Sequence, residues 1–178
     1  FPASYIPTAA SAVTRAADVA AMTGTNFSSW YRQDEGTFVV FADVSATTTD
    51  SVSRVIFAAG DSASFNETLY CVRNSNSAAV VPSVVDGGVA QLADPLLLSA
   101  SVGVMFGVAL AYKLNDFGGS ANGGVALTDS SVSLPTVNSL AIGRASWGAS
   151  GFLNGHIRRI AYYPKRLTNL ELQSLTAQ

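Results

Sequence analysis

The stretch VGVMFGVAL, residues 102–110, alternates large and small side chains. The large residues are Val102, Val104, Phe106, Val108 and Leu110, and the small ones in and just after the stretch are Gly103, Gly107, Ala109 and Ala111. A period of two places the large residues on one face of a strand and the small residues on the other. Because both faces are apolar, the stretch predicts a strand buried on both sides, with its small face against a closely packed neighbour.

A membrane helix is the alternative interpretation of this region, since residues 96–112 form the most apolar window of the chain. Gly103 and Gly107 also have the spacing of small residues at which membrane helices pack. The window lies at the lower length limit of about 17 residues for a span. It contains two serines, follows Pro95 and has no Arg or Lys anchor on its amino-terminal side. Together with the period of two, these features favour a strand over a membrane helix. No membrane partner is therefore predicted.

Similar β-branched and aromatic segments recur along the chain, each ended by Gly, Asn, Asp or Ser. The predicted strands are Thr37 to Val44, Arg54 to Ala59, Thr68 to Arg73, Ala79 to Val85, Val102 to Leu110, Phe117 to Ala121, Val125 to Thr128, Ser139 to Gly143 and His156 to Tyr163. The triplets at residues 86–88 (Asp-Gly-Gly) and 122–124 (Asn-Gly-Gly) favour tight hairpin turns, because these residues tolerate positive φ angles.

Helix is scarce in the sequence. Thr168 and Glu171 have capping-box spacing at the start of a predicted helix over residues 168–176, and residues 27–31 (FSSWY) are predicted to form a single helical turn. The predicted apolar stripe of the terminal helix is Leu167, Leu170, Leu172 and Leu175. Many short strands and one terminal helix predict an all-β fold, a two-sheet antiparallel β-sandwich of the jelly-roll kind. Residues 15–178 form this one domain, and residues 1–14 are a linker or an edge segment.

The composition limits the classes of function that the chain can have. Charged residues make up 12% of the 178 residues, about half of the usual share of roughly 25%. Ten basic and twelve acidic side chains give a net charge of −2 and provide no basic face for nucleic acid. The polar surface must therefore come from Ser, Thr, Asn and Gly, which suits a secreted or particle-bound protein. The single cysteine, Cys71, is expected to be buried and has no partner for an internal disulfide.

Few residues are available for catalysis, so no catalytic residue is assigned. Glycoside hydrolysis needs two carboxylates at a set separation across the sugar, and none of the three glutamates, Glu35, Glu67 and Glu171, has such a partner in the sequence. The only histidine, His156, stands at the start of a predicted strand, and the chain contains no Gly-x-Ser-x-Gly elbow. His156 is therefore interpreted as a polar residue at a strand entrance. One histidine and one cysteine do not make a zinc site.

Carbohydrate binding needs an apolar aromatic platform with a few well-placed polar groups. Trp147, between glycine- and serine-rich flanks, is the best candidate for an exposed ring. Tyr70 and Arg73 are further candidates on a predicted strand, although the alternation of that strand leaves the direction of each side chain open. Trp30 is the fourth candidate, with a role in the core as its alternative.

Several segments resemble a known class of domain. FLNGHIRRIAYYPKRLTNLELQSLTAQ (residues 152–178) resembles the last strand and closing helix of concanavalin A-like, laminin-G-like jelly rolls. FGVALAYKLNDFGGSANGG (106–124) is similar to their paired strands, and SLAIGRASWG (139–148) to the strand that follows. SYIPTAASAVTRAADVAAMTGTNFSSWY (4–31), with EGTFVV (35–40), resembles the version found in structural proteins of tailed bacteriophages and prophages.

The resemblance implies a set of ligands and partners. Many laminin-G-like domains hold calcium with loop aspartates at the rim of the sandwich, and Asp116 and Asp86 are the matching candidates here. Turn formation is the alternative explanation of both. The implied function is a non-catalytic, lectin-like module of a phage tail, fibre or other virion appendage that binds a bacterial surface polysaccharide during host attachment.

Two other functions stay open on the sequence. One is a purely structural virion component, such as a decoration or fibre-base domain that binds other virion proteins or forms a homotrimer. The other is a polysaccharide-degrading domain. The predicted location is the virion, which is extracellular when it acts.

Overall fold

The structure, a computed structural model, describes residues 19–45, 52–75, 77–92 and 97–178. Residues 1–14, predicted to be a linker or an edge segment, lie outside these ranges, as do residues 15–18 of the predicted domain.

The described residues form twelve strands in two antiparallel sheets, and two helices. The strands are β1 (Ala20–Thr23), β2 (Glu35–Val44), β3 (Arg54–Gly60), β4 (Thr68–Arg73), β5 (Ala79–Asp86), β6 (Val89–Ala90), β7 (Leu98–Ser99), β8 (Phe106–Lys113), β9 (Phe117–Ala121), β10 (Leu127–Asp129), β11 (Ser139–Ile142) and β12 (Gly155–Tyr163). The helices are α1 (Thr25–Ser28) and α2 (Asn169–Thr176).

The strand order shows a sandwich. The larger sheet has seven strands in the order β1-β11-β3-β4-β5-β6, with β7 also pairing with β5. The smaller sheet has five strands in the order β10-β9-β8-β2-β12. These two sheets and the short terminal helix confirm the predicted all-β jelly-roll-like sandwich.

The main core lies between the two sheets. Phe38 in β2 is 1% exposed, and its ring centroid lies 4.8 Å from that of Phe57 in β3 of the opposite sheet. Phe106, Val108 and Leu110 face the same space. Cys71 is also fully buried there, as expected, and this burial raises the pKa of its thiol.

The stretch 102–110 is a strand only from Phe106 onward. Gly103 has a φ of 72°, and Val104 N–H donates to Ser101 O at 3.3 Å, so residues 101–104 form a turn. Val102 and Val104 are consequently 40% and 56% exposed, which shows that placing them on the buried face was wrong. The alternation continues instead to Tyr112. None of the described helices is long and apolar enough to cross a membrane.

The small face of β8 lies under helix α2. Ala109 and Ala111 are fully buried and pack against Leu167 and Leu172. A Cβ atom on Gly107 would lie 2.7 Å from Phe41 Cε1 and 3.0 Å from the carbonyl oxygen of Thr176. The small residues therefore allow the terminal helix to approach the sheet closely.

Helix α2 begins at the predicted capping box. Thr168 Oγ1 accepts a hydrogen bond from Glu171 N–H at 3.3 Å, and Glu171 accepts one from Thr168 N–H at 2.7 Å. The hydrogen bonds that the Glu171 carboxylate accepts from Thr168 N–H and from Thr168 Oγ1 (2.8 Å) lower the pKa of Glu171. Leu170, predicted to belong to the apolar stripe, is 76% exposed because it lies on the side of the helix away from the buried Leu172 and Thr176.

A tyrosine network closes one end of the sandwich. Tyr112 Oη donates to Arg32 O at 2.6 Å and lies 2.9 Å from Tyr162 Oη, which accepts from Arg32 N–H at 2.9 Å. Burial raises the pKa of both phenols. Gly36 leaves room for the two hydroxyl groups, so this network ties the loop before β2 to β8 and β12.

Candidate functional site

Three aromatic rings meet on the outer face of the larger sheet. The ring centroid of Trp147 lies 4.7 Å from that of Phe65 and 5.4 Å from that of Tyr70, with interplanar angles of 73° and 69°. Phe65 is 41% exposed, and Tyr70 and Trp147 are half-buried. Edge-to-face packing of this kind favours a fixed arrangement of the rings. Trp147 and Tyr70, two of the predicted site residues, are thus brought together.

The loop that carries Trp147 is braced onto the sheet. Ala145 is 1% exposed and packs on the outer face, and its N–H donates to Ser150 O at 3.0 Å. The Nη1 of Arg144 donates to the carbonyl oxygens of Ala145 (3.4 Å) and Gly148 (3.2 Å). The indole therefore projects from a closed loop whose two ends are held together.

A cleft of about 250 Å³ opens beside these rings. The apolar and aromatic residues of its wall include Val55, Tyr70, Val72, Ala145 and Trp147, and the small polar residues of its wall are Ser53, Asn74 and Ser150. Ser53 Oγ lies 3.5 Å from Asn74 Oδ1. Aromatic rings together with hydroxyl and amide groups in one lining suit a ligand with both apolar and hydroxyl-bearing faces.

Phe65 and the polar residues of the wall were not identified from the sequence. Phe65 lies in the turn-rich segment before β4, where an isolated aromatic residue among Ser, Asn and Asp is the signal that was available. Ser53, Asn74 and Ser150 carry no such signal, because serine and asparagine are common throughout this chain.

Arg73 does not share this face. Leu69 and Cys71 point into the core, whereas Tyr70 and Val72 belong to the outer cluster. By the same alternation Arg73 follows Leu69 and Cys71 onto the inner side. It is 3% exposed there, and its Nε donates to Ala100 O at 3.4 Å. Its side chain is therefore separated from Tyr70 by the thickness of the sheet.

Trp30 lies in a different part of the sandwich. Its ring packs 4.9 Å from Tyr162 and 5.1 Å from Phe27, and its Nε1 donates to Asn26 O at 2.7 Å. It lines an apolar cleft of about 160 Å³ that shares no lining residue with the Trp147 cleft. These are the contacts of a ring that packs against the main core, which is the alternative interpretation of Trp30 given above.

A groove of about 440 Å³ lies at the rim near α1. Its amide side chains tie loops together: Gln33 bonds Pro135 O and Val137 N–H, and Asn138 accepts from Ser62 N–H. Its Phe27 ring is 1% exposed. Tyr31, the other ring that lines the groove, is half-buried and stacks on Phe27 with the two centroids 4.5 Å apart. Neither ring is as exposed as Phe65 in the outer cluster.

The two candidate calcium ligands, Asp116 and Asp86, bind other side chains of the chain. Asp116 pairs with Arg166, whose Nη2 lies 3.0 Å from Asp116 Oδ1, and Asp86 accepts a hydrogen bond from Ser133 Oγ. Within the described ranges, no group of three or more His, Cys, Asp or Glu side chains is placed to hold a metal ion. The two aspartates therefore belong to no carboxylate cluster in that part of the chain.

The three glutamates all accept hydrogen bonds from backbone N–H groups. The pairs are Glu35 with Arg166 (3.1 Å), Glu67 with Gly87 and Thr136 (2.8 Å each) and Glu171 with Thr168 (2.7 Å). Glu35 and Glu67 bond residues distant in sequence, and Glu171 caps its own helix. None of the three lines the Trp147 cleft.

His156 forms a surface pair with Asp43. Its Nδ1 lies 3.1 Å from Asp43 Oδ1, and its side chain is 78% exposed. The residue lies on β12, an edge strand of the smaller sheet, next to β2. This arrangement agrees with a polar residue at the entrance of a strand.

No protein-family model matches the chain, and no curated protein matches its sequence. Solved structures do match. The CBM40 carbohydrate-binding module of a Ruminococcus gnavus IT-sialidase, bound to α2,3-sialyllactose, is 18% identical, with a TM-score of 0.65 over 82% of this chain and 84% of that one.

The Trypanosoma rangeli sialidase is 16% identical with a TM-score of 0.60, but the match covers 80% of this chain and 22% of that one. A leech intramolecular trans-sialidase is 19% identical with a TM-score of 0.63, and the match covers 81% of this chain and 23% of that one. At these identities the likeness shows the fold alone.

Proposed function

We propose that this chain is a non-catalytic carbohydrate-binding module whose ligand docks at the Trp147 cleft. The observation that carries the proposal is the surface cluster of the exposed Phe65 and the half-buried Tyr70 and Trp147, beside a cleft that small polar side chains also line. The C–H face of a sugar packs on an aromatic ring, while its hydroxyl groups bond to side chains such as Ser53 and Asn74. The carbohydrate-binding role of the R. gnavus module supports this proposal.

The rigid mounting of Trp147 serves binding. Because the loop is closed by hydrogen bonds and Ala145 is anchored on the sheet, little conformational freedom remains to be lost when a ligand orders the indole. A binding site of this kind needs no metal or cofactor, and the glutamates bond to the backbone instead of lining the cleft.

The setting we propose is a tail or surface appendage of a tailed phage, where the ligand is a bacterial surface polysaccharide. Its support is the resemblance of residues 4–31 and 35–40 to phage structural proteins. In this setting the domain also contacts other virion proteins, and the sandwich is the platform that presents the cleft.

We expect Trp147→Ala to weaken glycan binding at least about tenfold, which corresponds to about 1.4 kcal/mol, because the central ring of the platform is removed. The measurement is an array of bacterial polysaccharides and oligosaccharides probed with both proteins. Trp147→Phe, which keeps a ring, should retain part of the affinity. Leu170→Ala, an exposed substitution on α2, is the control that should bind like the wild type.

Failure of the wild type to bind any glycan would contradict the proposal. A stable trimer in a size measurement, together with that failure, would instead favour the structural virion component. Release of oligosaccharide from a host polysaccharide would favour the polysaccharide-degrading domain.

A further inference from the structure

The charge of the Trp147 cleft narrows the class of sugar that it takes. All ten described residues that line it are uncharged, and the lining side chains that carry polar atoms are those of Ser53, Tyr70, Asn74, Trp147 and Ser150. The neighbouring sequence adds no cation, since residues 46–51 (ATTTDS) and Asn76 contain no Lys, Arg or His.

The nearest arginines in sequence point elsewhere. Arg54 and Arg73 are cross-strand partners on β3 and β4, and each precedes or follows a residue of the outer cluster, so alternation sends both side chains to the inner side. Arg144 has its Nη1 bonded to two carbonyl oxygens of the Trp147 loop. None of these three side chains lines the cleft.

A carboxylate placed in such a cleft would lose part of its hydration without gaining a cationic partner. A charge that loses hydration without gaining an ion-pair partner weakens binding. A hydroxymethyl group has no such penalty, because serine and asparagine side chains satisfy it with ordinary hydrogen bonds.

From this pattern we infer that the cleft selects an uncharged sugar unit, such as a neutral hexose or 6-deoxyhexose, over a uronic or sialic acid. The inference rests on the proposed function. The volume of about 250 Å³ is below the roughly 300–1,000 Å³ of clefts that enclose drug-sized ligands. One sugar unit therefore occupies the cleft, and the rest of the glycan extends over the surface.

The test uses pairs of methyl glycosides that differ only at C6: glucose with glucuronic acid, galactose with galacturonic acid, and mannose with mannuronic acid. Binding is followed through the indole N–H signal of Trp147. Within each pair that binds, we expect the neutral member to bind at least about tenfold more tightly, a difference of about 1.4 kcal/mol. Its affinity should change less than about twofold between 0.05 and 0.5 M NaCl, because no ion pair is screened.

Ser150→Lys is the matched variant, since Ser150 is exposed on the wall and the change supplies the missing cation. At low salt, this variant should have a smaller difference in affinity between the neutral glycoside and the uronate of each pair than the wild type has. Equal or tighter binding of the uronate by the wild type, lost in Trp147→Ala, would overturn the inference and leave the proposed function standing. No binding of any array glycan or methyl glycoside would overturn both.

Discussion

Replacing Phe38 with alanine should lower the free energy of unfolding by about 3–5 kcal/mol. Phe38 is 1% exposed and touches rings from both layers, with centroids 4.8 Å from Phe57 in the larger sheet and 5.0 Å from Tyr162 in the smaller. Its removal leaves a cavity at the junction of the two sheets, where rigid strands cannot collapse to fill it. Urea unfolding followed by circular dichroism measures the change.

Phe65→Ala is the matched control, because it makes the same chemical change at a ring that is 41% exposed on the outer face. It should lower the stability by about 1 kcal/mol or less, since the ring lies at the surface and its removal leaves no enclosed cavity. Equal losses in the two variants would mean that Phe38 is not at the centre of a two-sheet core.

The second large effect is expected in helix α2, where two leucines two positions apart differ in burial. Leu172 is fully buried against Ala109 and Ala111, so Leu172→Ala should cost about 2–5 kcal/mol. Leu170 is 76% exposed, and Leu170→Ala should change the stability by about 0.5 kcal/mol or less. Denaturant midpoints of the two variants provide the comparison, and the helix N-cap is identical in both.

This pair of variants tests whether helix α2 is docked on β8 in the orientation described. A small effect of Leu172→Ala would show that α2 is not docked on β8 and that Gly107 and the alanines of that strand face something else. A large effect of Leu170→Ala would show that the helix is rotated relative to the arrangement described above.

Much of the fold was predictable because the signals are local. Thr68–Arg73 and Phe117–Ala121 were predicted with the observed bounds, since alternation and turn residues define both ends. The capping box at Thr168 was predicted for the same reason. The stretch 102–104 was assigned wrongly because its alternation continues that of β8, while Gly103 turns the chain through a positive φ that the pattern of side chains does not reveal.

The candidate site was only partly predictable. Trp147 and Tyr70 are 77 positions apart in the sequence, and only the folding of the 145–150 loop onto the outer face brings their rings within 5.4 Å. The direction of the Arg73 side chain depends on which face of β4 is buried. Phe65 reaches the cluster from the loop between β3 and β4. Loop placement of this kind depends on contacts distant in sequence, which periodicity does not encode.

The central claim is that a glycan binds at Trp147, and the chain contains two tryptophans that make a direct test possible. In a ¹⁵N-labelled sample the two indole N–H signals are assigned with Trp147→Phe, and a glycan that binds on the array is titrated in. We predict a saturable shift of the Trp147 signal, while the Trp30 signal, whose N–H bonds to Asn26 O at 2.7 Å, stays in place. A shift of Trp30 alone, or of neither signal at saturation, would contradict the account.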